Sequence, residues 1–407
     1  MAINKEQNKL NVPHLRFPEF HGEWEKCKLG DIATLTKGSG ISKDQRSATG
    51  TPCILYGELY TTYKSEVINY VVSKTDISDK NLVRSCANDI IIPSSGETAI
   101  DISTARCVLS PDVLLGGDLN IIRLKDGDGR FFSYQLNGVR KHDIAKIAQG
   151  VSVVHLYGES IKGLTVSFPS NKEQQKISTL LSLIDERIAT QSKLIEKLES
   201  LIKGLNDSLY AQYGGKVLTS FAELGTSYSG LSGKSAQDFG SGKPFITYLN
   251  VYSNNVINEN EFQYVAIKDD EKQNVAEYGD VLFTLSSETP REVGIGSVYL
   301  GKEKVYLNSF CFGIHITNAE IAFPPYLSYY VSSTPFRKFV YPYAQGSTRF
   351  NLCKADFEKA SIKLPTLENQ KRIYSILSHI DNKIITERQM LDLYNSQKQY
   401  LLRQMFI

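Results

Sequence analysis

The chain has 407 residues with 46 Lys and Arg against 44 Asp and Glu, a net charge of +2, and 41% apolar and 22% charged residues. That length calls for two or more domains, and the composition is ordinary for a soluble globular protein. It excludes a membrane-spanning helix, since no apolar run approaches ~18 residues, and a bulk basic excess, so any nucleic-acid binding must come from local Lys and Arg clusters or from a larger assembly.

In chain order, residues 1–22 read as an N-terminal arm. Its first nine residues are polar and lack the apolar core of a secretory signal, so a cytoplasmic location is expected. Residues 23–168 form a first module; like the second, it carries short runs rich in Val, Ile, Tyr and Thr, here at Ile90–Ile92, Leu119–Leu124, Val153–Leu156 and Leu164–Phe168. Gly, Asn, Asp and Ser punctuate these runs, which is strand-and-loop texture with a few short helices. Residues 169–212 read as a long helix. Ile177, Leu180, Leu181, Ile184, Ile188, Leu194, Ile195, Leu198, Leu201, Ile202, Leu205 and Leu209 recur every three or four positions, behind Pro169-Ser170 and ahead of Gly214-Gly215. Residues 213–366 repeat the strand-and-loop texture at Phe245–Tyr248, Val281–Leu285, Val298–Leu300 and Ile314–Thr317. Residues 367–407 form a second long helix with Ile373, Ile376, Leu377, Ile380, Ile384, Leu391, Tyr394, Leu401 and Leu402 on its stripe. Each helix is roughly 57 Å long. Two exposed stripes in one chain are expected to cover each other as an antiparallel pair. The predicted fold is α+β: a tandem duplication of two α+β modules separated by two long antiparallel helices forming a coiled coil.

The duplication is read from self-similarity. Ala148-Gln149-Gly150 recurs 196 residues later as Ala344-Gln345-Gly346. In the same register Leu156, Pro169, Gln174, Ile177, Leu181, Ser182, Ile184 and Asp185 recur as Leu352, Pro365, Gln370, Ile373, Leu377, Ser378, Ile380 and Asp381. Upstream the spacing is 191 to 192: Pro52 and Tyr56 match Pro244 and Tyr248, Asp89 matches Asp280, and Ser95-Gly96-Glu97-Thr98 matches Ser286-Ser287-Glu288-Thr289. So long a period means two domains in tandem, not a solenoid.

Enzyme-like strings each break at a required position. Gly233-Lys234-Ser235 ends like a phosphate-binding loop, but the required upstream glycine is Tyr228. It is therefore expected to be a loop. Phe323-Pro324-Pro325-Tyr326 resembles the tetrapeptide of amino-group DNA methyltransferases with Phe where the polar residue belongs, so it reads as a turn before a helix. The six cysteines form no C-x-x-C pair and the six histidines no metal-ligand spacing, so no metal and no catalytic residue is assigned. What remains is loops rich in Tyr, Gly, Ser, Lys and Arg. Such loops suit phosphate contact and base reading, and equally a protein-binding surface or half-buried strands.

The string Ala344-Gln345-Gly346-Ser347-Thr348-Arg349-Phe350-Asn351-Leu352, with Lys354-Ala355-Asp356-Phe357, Ile362-Lys363-Leu364-Pro365 and Glu368-Asn369-Gln370, resembles the conserved region of type I restriction–modification specificity subunits. Leu15-Arg16-Phe17-Pro18-Glu19-Phe20, Trp24 and Leu29-Gly30-Asp31-Ile32 resemble that family's start. The resemblance spans essentially the whole chain, duplication included. It implies two target-recognition domains, each reading half of a split site in double-stranded DNA, and a helix pair that sets the spacing and docks two methylation (M) subunits, with restriction (R) subunits joining. It implies no cofactor in this chain; S-adenosylmethionine, ATP and Mg belong to the partner subunits. No catalytic residue carries over. The first copy departs from the pattern, having Val151-Ser152-Val153-Val154-His155 where the second has Ser347-Thr348-Arg349-Phe350-Asn351.

On this reading, Lys37, Lys43, Arg46, Tyr56, Tyr60, Ser95, Glu97 and Thr98 are the expected DNA contacts of the first module. Lys234, Lys243, Tyr248, Tyr252, Ser286, Ser287, Arg291 and Arg349 are those of the second. Two alternatives stand beside it. A fused methyltransferase or nuclease would bind cofactor by itself, and a coiled-coil scaffold without a DNA role would lack sequence-selective binding.

Overall fold

Two largely apolar runs, Ile90–Ile92 and Leu119–Leu124, lie side by side as the centre of the first module's main sheet. A computed structural model describes residues 11–77 and 81–407. The chain divides into two units, Met1–Lys193 with Gln389–Ile407, and Leu194–Arg388.

In the first unit, strands Ala33–Lys37, Leu119–Leu124, Asp89–Pro93 and Arg106–Val108 are antiparallel neighbours in that order, and Val67–Ile68 adds a parallel edge. The two central strands are buried nearly throughout, which is why they read as continuous apolar runs. In the second unit, Gly225–Ser229, Cys311–Ile316, Val281–Thr284 and Gly296–Val298 repeat the arrangement. The edge strands Ala33–Lys37 and Gly225–Ser229 carry Thr, Ser and Gly and are not evident from apolar runs. Phe245 and Ile246 end a longer strand, Phe239–Ile246, while Tyr248 opens the short helix Tyr248–Ser253, capped by Thr247. Phe323 ends in a helix start, with Pro324 and Pro325 in the first turn of Pro324–Tyr330, where proline's missing N–H costs nothing.

In each module a two-stranded ribbon ties entry to exit, Glu25–Lys28 with Thr165–Phe168 and Val217–Thr219 with Ile362–Leu364. The long helices Asn171–Tyr213 and Leu367–Gln404 follow directly. The repeated glutamine has a local reason. Gln174 accepts from the Asp128 N–H at 2.9 Å and donates to the Pro169 carbonyl at 2.8 Å. Gln370 accepts from Phe323 N–H at 2.8 Å and donates to Pro365 and Ile321 carbonyls at 2.9 and 2.7 Å. Both amides are buried and satisfy backbone groups that would otherwise be orphaned where strand turns into helix.

Within the first unit the helix segments run antiparallel, Asp185 meeting Lys398 at 2.6 Å and Arg187 meeting Tyr394 at 3.4 Å. The core joins Trp24, Phe131 and Tyr134 of the module to Ile177, Leu181 and Ile184 of one helix, Leu401 and Leu402 of the other, and Phe406 just past that helix's end. The segment before Trp24 is seated here too, Arg16 holding Glu173 through two hydrogen bonds of 2.7 and 2.8 Å. Within the second unit the segments are again antiparallel, with Arg388 on Glu199 at 2.6 Å and Arg372 over the Tyr213 ring. Its core gathers Phe221, Phe283, Phe312, Phe336 and Phe357 with Leu209, Ile373 and Leu377. Three positions of the predicted stripes, Leu194, Leu201 and Ile376, are exposed rather than covered. Among the described residues no helix is long and apolar enough to cross a membrane, and no cluster of three or more His, Cys, Asp or Glu could hold a metal.

Candidate nucleic-acid interface

Each module carries one large open cleft beside a short helix that follows a strand, Thr51–Ile54 in the first module and Phe239–Ile246 in the second. In the first unit the helix is Glu58–Thr61 and the cleft, about 820 Å³, is lined by Lys43, Arg46, Tyr56 and Tyr60 among others. In the second unit the helix is Tyr248–Ser253 and the cleft, about 760 Å³, is lined by Tyr248, Tyr252, Ser286, Ser287, Glu288, Glu292, Thr348 and Arg349. The two tyrosine pairs stand 192 residues apart, so the duplication places equivalent aromatic walls in both clefts.

The second cleft is held by a polar lattice. Tyr248 and Tyr252 stack with ring centroids 6.0 Å apart. Tyr248 Oη donates to the Ser286 carbonyl at 2.8 Å, and Tyr252 Oη to Glu292 Oε1 at 2.9 Å. Glu292 also accepts from Ser287 Oγ and Thr289 Oγ1, and these hydrogen bonds, Thr289's first, hold its carboxyl below the usual range. Arg349 donates to Ser286 Oγ at 3.3 Å and lies over the exposed Phe310 ring. Its guanidinium is exposed, with most of its donors unused. In the first cleft Arg46 reaches Glu58 at 3.6 Å and donates to the Lys43 carbonyl, while Lys43 remains exposed. Burial pushes the Tyr60 hydroxyl up.

The other candidates stand in varied surroundings. Lys37 is exposed at the end of its strand, and Lys243 is exposed beside an irregularity in the Phe239–Ile246 ladder. Ser95 pairs through its backbone with His155, and Thr98 caps the helix Ala99–Ile102 by accepting from Asp101 N–H. Glu97 is exposed. Arg291 is exposed, and its carbonyl accepts from Arg337. Lys234 is different: its ammonium is 7% exposed, paired with Glu271 at 2.5 Å and donating to the Ala266 carbonyl. Its charge is thus already engaged within the fold. Glu288, the repeat of Glu97, and Glu292 also line the second cleft, beside the candidates named from the sequence.

The turn of the repeated Ala-Gln-Gly string is a backbone requirement. Gly150 and Gly346 have φ of +124° and +136°, and a Cβ on either would lie 2.1 Å from the carbonyl of Val153 or Arg349. The resulting hairpins pin the repeated loops, Ser95 and Gly96 to His155 and Val154, Ser286 and Ser287 to Asn351 and Phe350.

Behind the clefts the modules diverge in one charge pair. Asp89, at the start of a central strand, holds Arg123 in a two-point contact of 2.7 and 2.8 Å. Its counterpart Asp280 holds His315 Nδ1 at 2.9 Å, with Tyr228 Oη at 2.7 Å on the other oxygen. Burial raises the Asp280 carboxyl, against the hydrogen bonds from Tyr228, Glu277 and His315. Histidine supplies a cation only when protonated. We expect His315→Ala to destabilise the second unit by about 1–3 kcal/mol, because a buried carboxylate oxygen loses its partner. The sign follows from the raised carboxyl: the stability linked to its neutral form is present in acid and lost as pH rises through its folded value. The variant's deficit, read by urea denaturation, should therefore be larger at neutral than at acid pH. Equal deficits would show that Asp280 is not the group left behind.

Comparison with known proteins agrees with this architecture. The model of the Type I restriction modification DNA specificity domain matches twice, over residues 21–200 and 226–393. The provisionally assigned type I restriction enzyme MjaX specificity subunit of Methanocaldococcus jannaschii is 25% identical, over 95% of this chain and 93% of that one. The MjaVIII specificity subunit of the same organism is 25% identical over 52% of this chain and 47% of its own. Among solved structures, the type I restriction–modification S subunit of M. genitalium superposes with a TM-score of 0.59 at 16% identity, covering 97% of this chain and 99% of that one. A chain from a study of complex assembly and conformational transition in a type I system gives 0.58 at 15% identity, covering 93% and 96%. The chain therefore belongs to the type I restriction–modification DNA specificity family, as a specificity subunit with two DNA specificity domains.

Proposed function

We propose that each specificity domain reads one half of a bipartite site in double-stranded DNA through its tyrosine-walled cleft, and that the chain itself carries out no reaction. The observation that carries this is the pair of equivalent clefts, one per domain, with Tyr56 and Tyr60 in one and Tyr248 and Tyr252 in the other, each flanked by exposed Lys or Arg. Cations at the rim suit phosphates, while hydroxyls, amides and carboxylates inside suit base edges. In this reading residues 23–168 and 213–366 are the two target-recognition domains, joined by the helices of 169–212 and 367–407 behind an arm of 1–22. The helix pair sets the gap between half-sites and docks two methylation subunits; restriction subunits join in the cytoplasm. S-adenosylmethionine, ATP and Mg are held by those partners. Leu183, Leu201, Ile385 and Leu393, apolar yet more than half exposed on the helices, suit such docking.

Methylome mapping of cells expressing the chain with its methylation subunit tests the proposal. One split motif with two short halves and a fixed gap is the expected result; absent or unpatterned methylation by a folded, assembled complex would sink it. The rim cations make a second prediction. Lys43→Ala and Arg349→Ala should weaken binding to all sequences alike, each lowering the slope of log affinity against log salt by about one unit. A changed motif with an unchanged salt slope would mean the residue reads a base instead.

A further inference from the structure

A carboxylate on a DNA-facing surface is repelled by every phosphate, so it is useful there only if it accepts from something else. Each domain carries one such carboxylate at the same place, Glu97 in Ser95-Gly96-Glu97-Thr98 and Glu288 in Ser286-Ser287-Glu288-Thr289. Both side chains are exposed, and among the described residues neither takes a hydrogen bond or ion pair. Their loops, by contrast, are fixed on both sides. Upstream, the preceding residues are paired with the Gly150 and Gly346 hairpins. Downstream, Thr98 Oγ1 bonds Asp101 at 2.6 Å, and Thr289 Oγ1 bonds Glu292 at 2.9 Å. The threonines are thus used up in holding the turn, and the glutamate before each one is presented on a rigid loop. Glu288 lines the second cleft with Arg349 and the tyrosine pair, and the Glu97 charge is felt by Tyr60 in the wall of the first.

Resting on the reading of the clefts given above, we propose that Glu97 and Glu288 are equivalent specificity-determining acceptors. Each takes a hydrogen bond from an exocyclic amino group in the major groove, cytosine N4 or adenine N6, in its own half-site. Those are the base-edge donors there, and cytosine N4 is the group that Glu and Asp side chains fit. Each half-site therefore holds a fixed position occupied by an amino-bearing base.

The experiment uses the assembled complex of this chain with its methylation subunits. It selects binders from randomised duplexes, and repeats binding with duplexes in which one amino group is deleted from one base. Glu288→Ala should relax one position of one half-site, lowering discrimination there about 10-fold or more. Glu97→Ala should do the same in the other half. Affinity for unrelated DNA should be unchanged or slightly higher, because a negative charge has gone. Deleting the cognate amino group should cost the wild type that same factor and the matching alanine variant nothing further. Glu→Gln variants, which retain the side chain's size, guard against a loop that fails to order; they should shift preference toward adenine, the base Gln reads by two bonds. A wild type selective for a motif, with variants that keep every preference, overturns the assignment alone. So does a loss equal on all sequences, which marks a merely structural role. A wild type with no base preference overturns the cleft reading and this assignment with it.

Discussion

Lys398→Met is expected to destabilise the first unit by about 3–5 kcal/mol, the usual cost of removing one partner from a buried charge cluster. The Lys398 ammonium lies between Glu66 Oε2 at 2.5 Å and Asp185 Oδ1 at 2.6 Å, with all three side chains about nine-tenths buried. Asp185 also accepts from Tyr134 Oη at 2.7 Å and Ser65 Oγ at 2.8 Å. Methionine matches the lysine stem in length and leaves two buried carboxylates without the ammonium that bridges them, still attracted to the buried Arg106. Adding Glu66→Gln alone to Lys398→Met should recover part of the loss, because it removes one unpaired buried charge and leaves Asp185 to balance the buried Arg106. Burial alone would pull Lys398 down, but attraction to Glu66 and Asp185 outweighs it and holds the ammonium above 10.5. A lysine raised in this way contributes stability that is complete below its ordinary value and lost as pH rises through the folded one. The cluster should therefore show no pH dependence from this group around neutrality. Thermal melting of the full chain reads the effect, and a Lys398→Met melting point equal to wild type would mean the carboxylates find water instead.

This cluster also shows where the sequence was legible and where it was not. Asp185 and Asp381 were evident as repeated positions on the long helices, and both accept from a module tyrosine, Tyr134 or Tyr329. Nothing in the pattern said that Lys398 would close one of these sites and Ile202, its counterpart 196 residues earlier, would not. Periodicity reports which face of a helix is covered, and long-range pairing of charges leaves no periodic trace. The same limit explains Lys234. Lys234 stands among glycine and serine, and nothing in that pattern said that Glu271, 37 residues on, would pair with it. The main sheets were half visible: buried central strands such as Leu119–Leu124 announced themselves, whereas Ala33–Lys37 and Gly225–Ser229, polar and half exposed, did not. The loops at Ser95–Thr98 and Ser286–Thr289 stood out because the duplication repeats them, which is a signal independent of propensity. Which of their residues are engaged within the fold was not legible. Thr98 and Glu97 are adjacent, equally polar and both exposed, yet Thr98 caps a helix while Glu97, among the described residues, takes no hydrogen bond or ion pair.

The strongest part of the family string also separates into core and surface, and Phe357→Ala tests the division. Phe357 is fully buried. Its ring stacks on Phe221 at 5.3 Å and meets Phe283 edge-on at 5.1 Å, with Phe336 at 6.3 Å. Truncating it should cost the second unit about 3–5 kcal/mol, from lost transfer energy and the cavity left behind, with the aromatic pair terms included. The first module has Ile161 at the equivalent position, also fully buried, so the site demands apolar volume rather than an aromatic as such. Phe357→Ile should accordingly cost clearly less than Phe357→Ala in the same urea titration. Neither substitution touches the cleft, so at a temperature where the variant stays folded its methylation motif should match the wild type's. Arg349, eight residues earlier in the same string, should behave in the opposite way, with stability retained and DNA affinity lost. If Phe357→Ala changed the motif while leaving the denaturation midpoint in place, this side chain would be acting on DNA through the loop it supports, and the boundary between core and reading surface would have to be drawn deeper into the module.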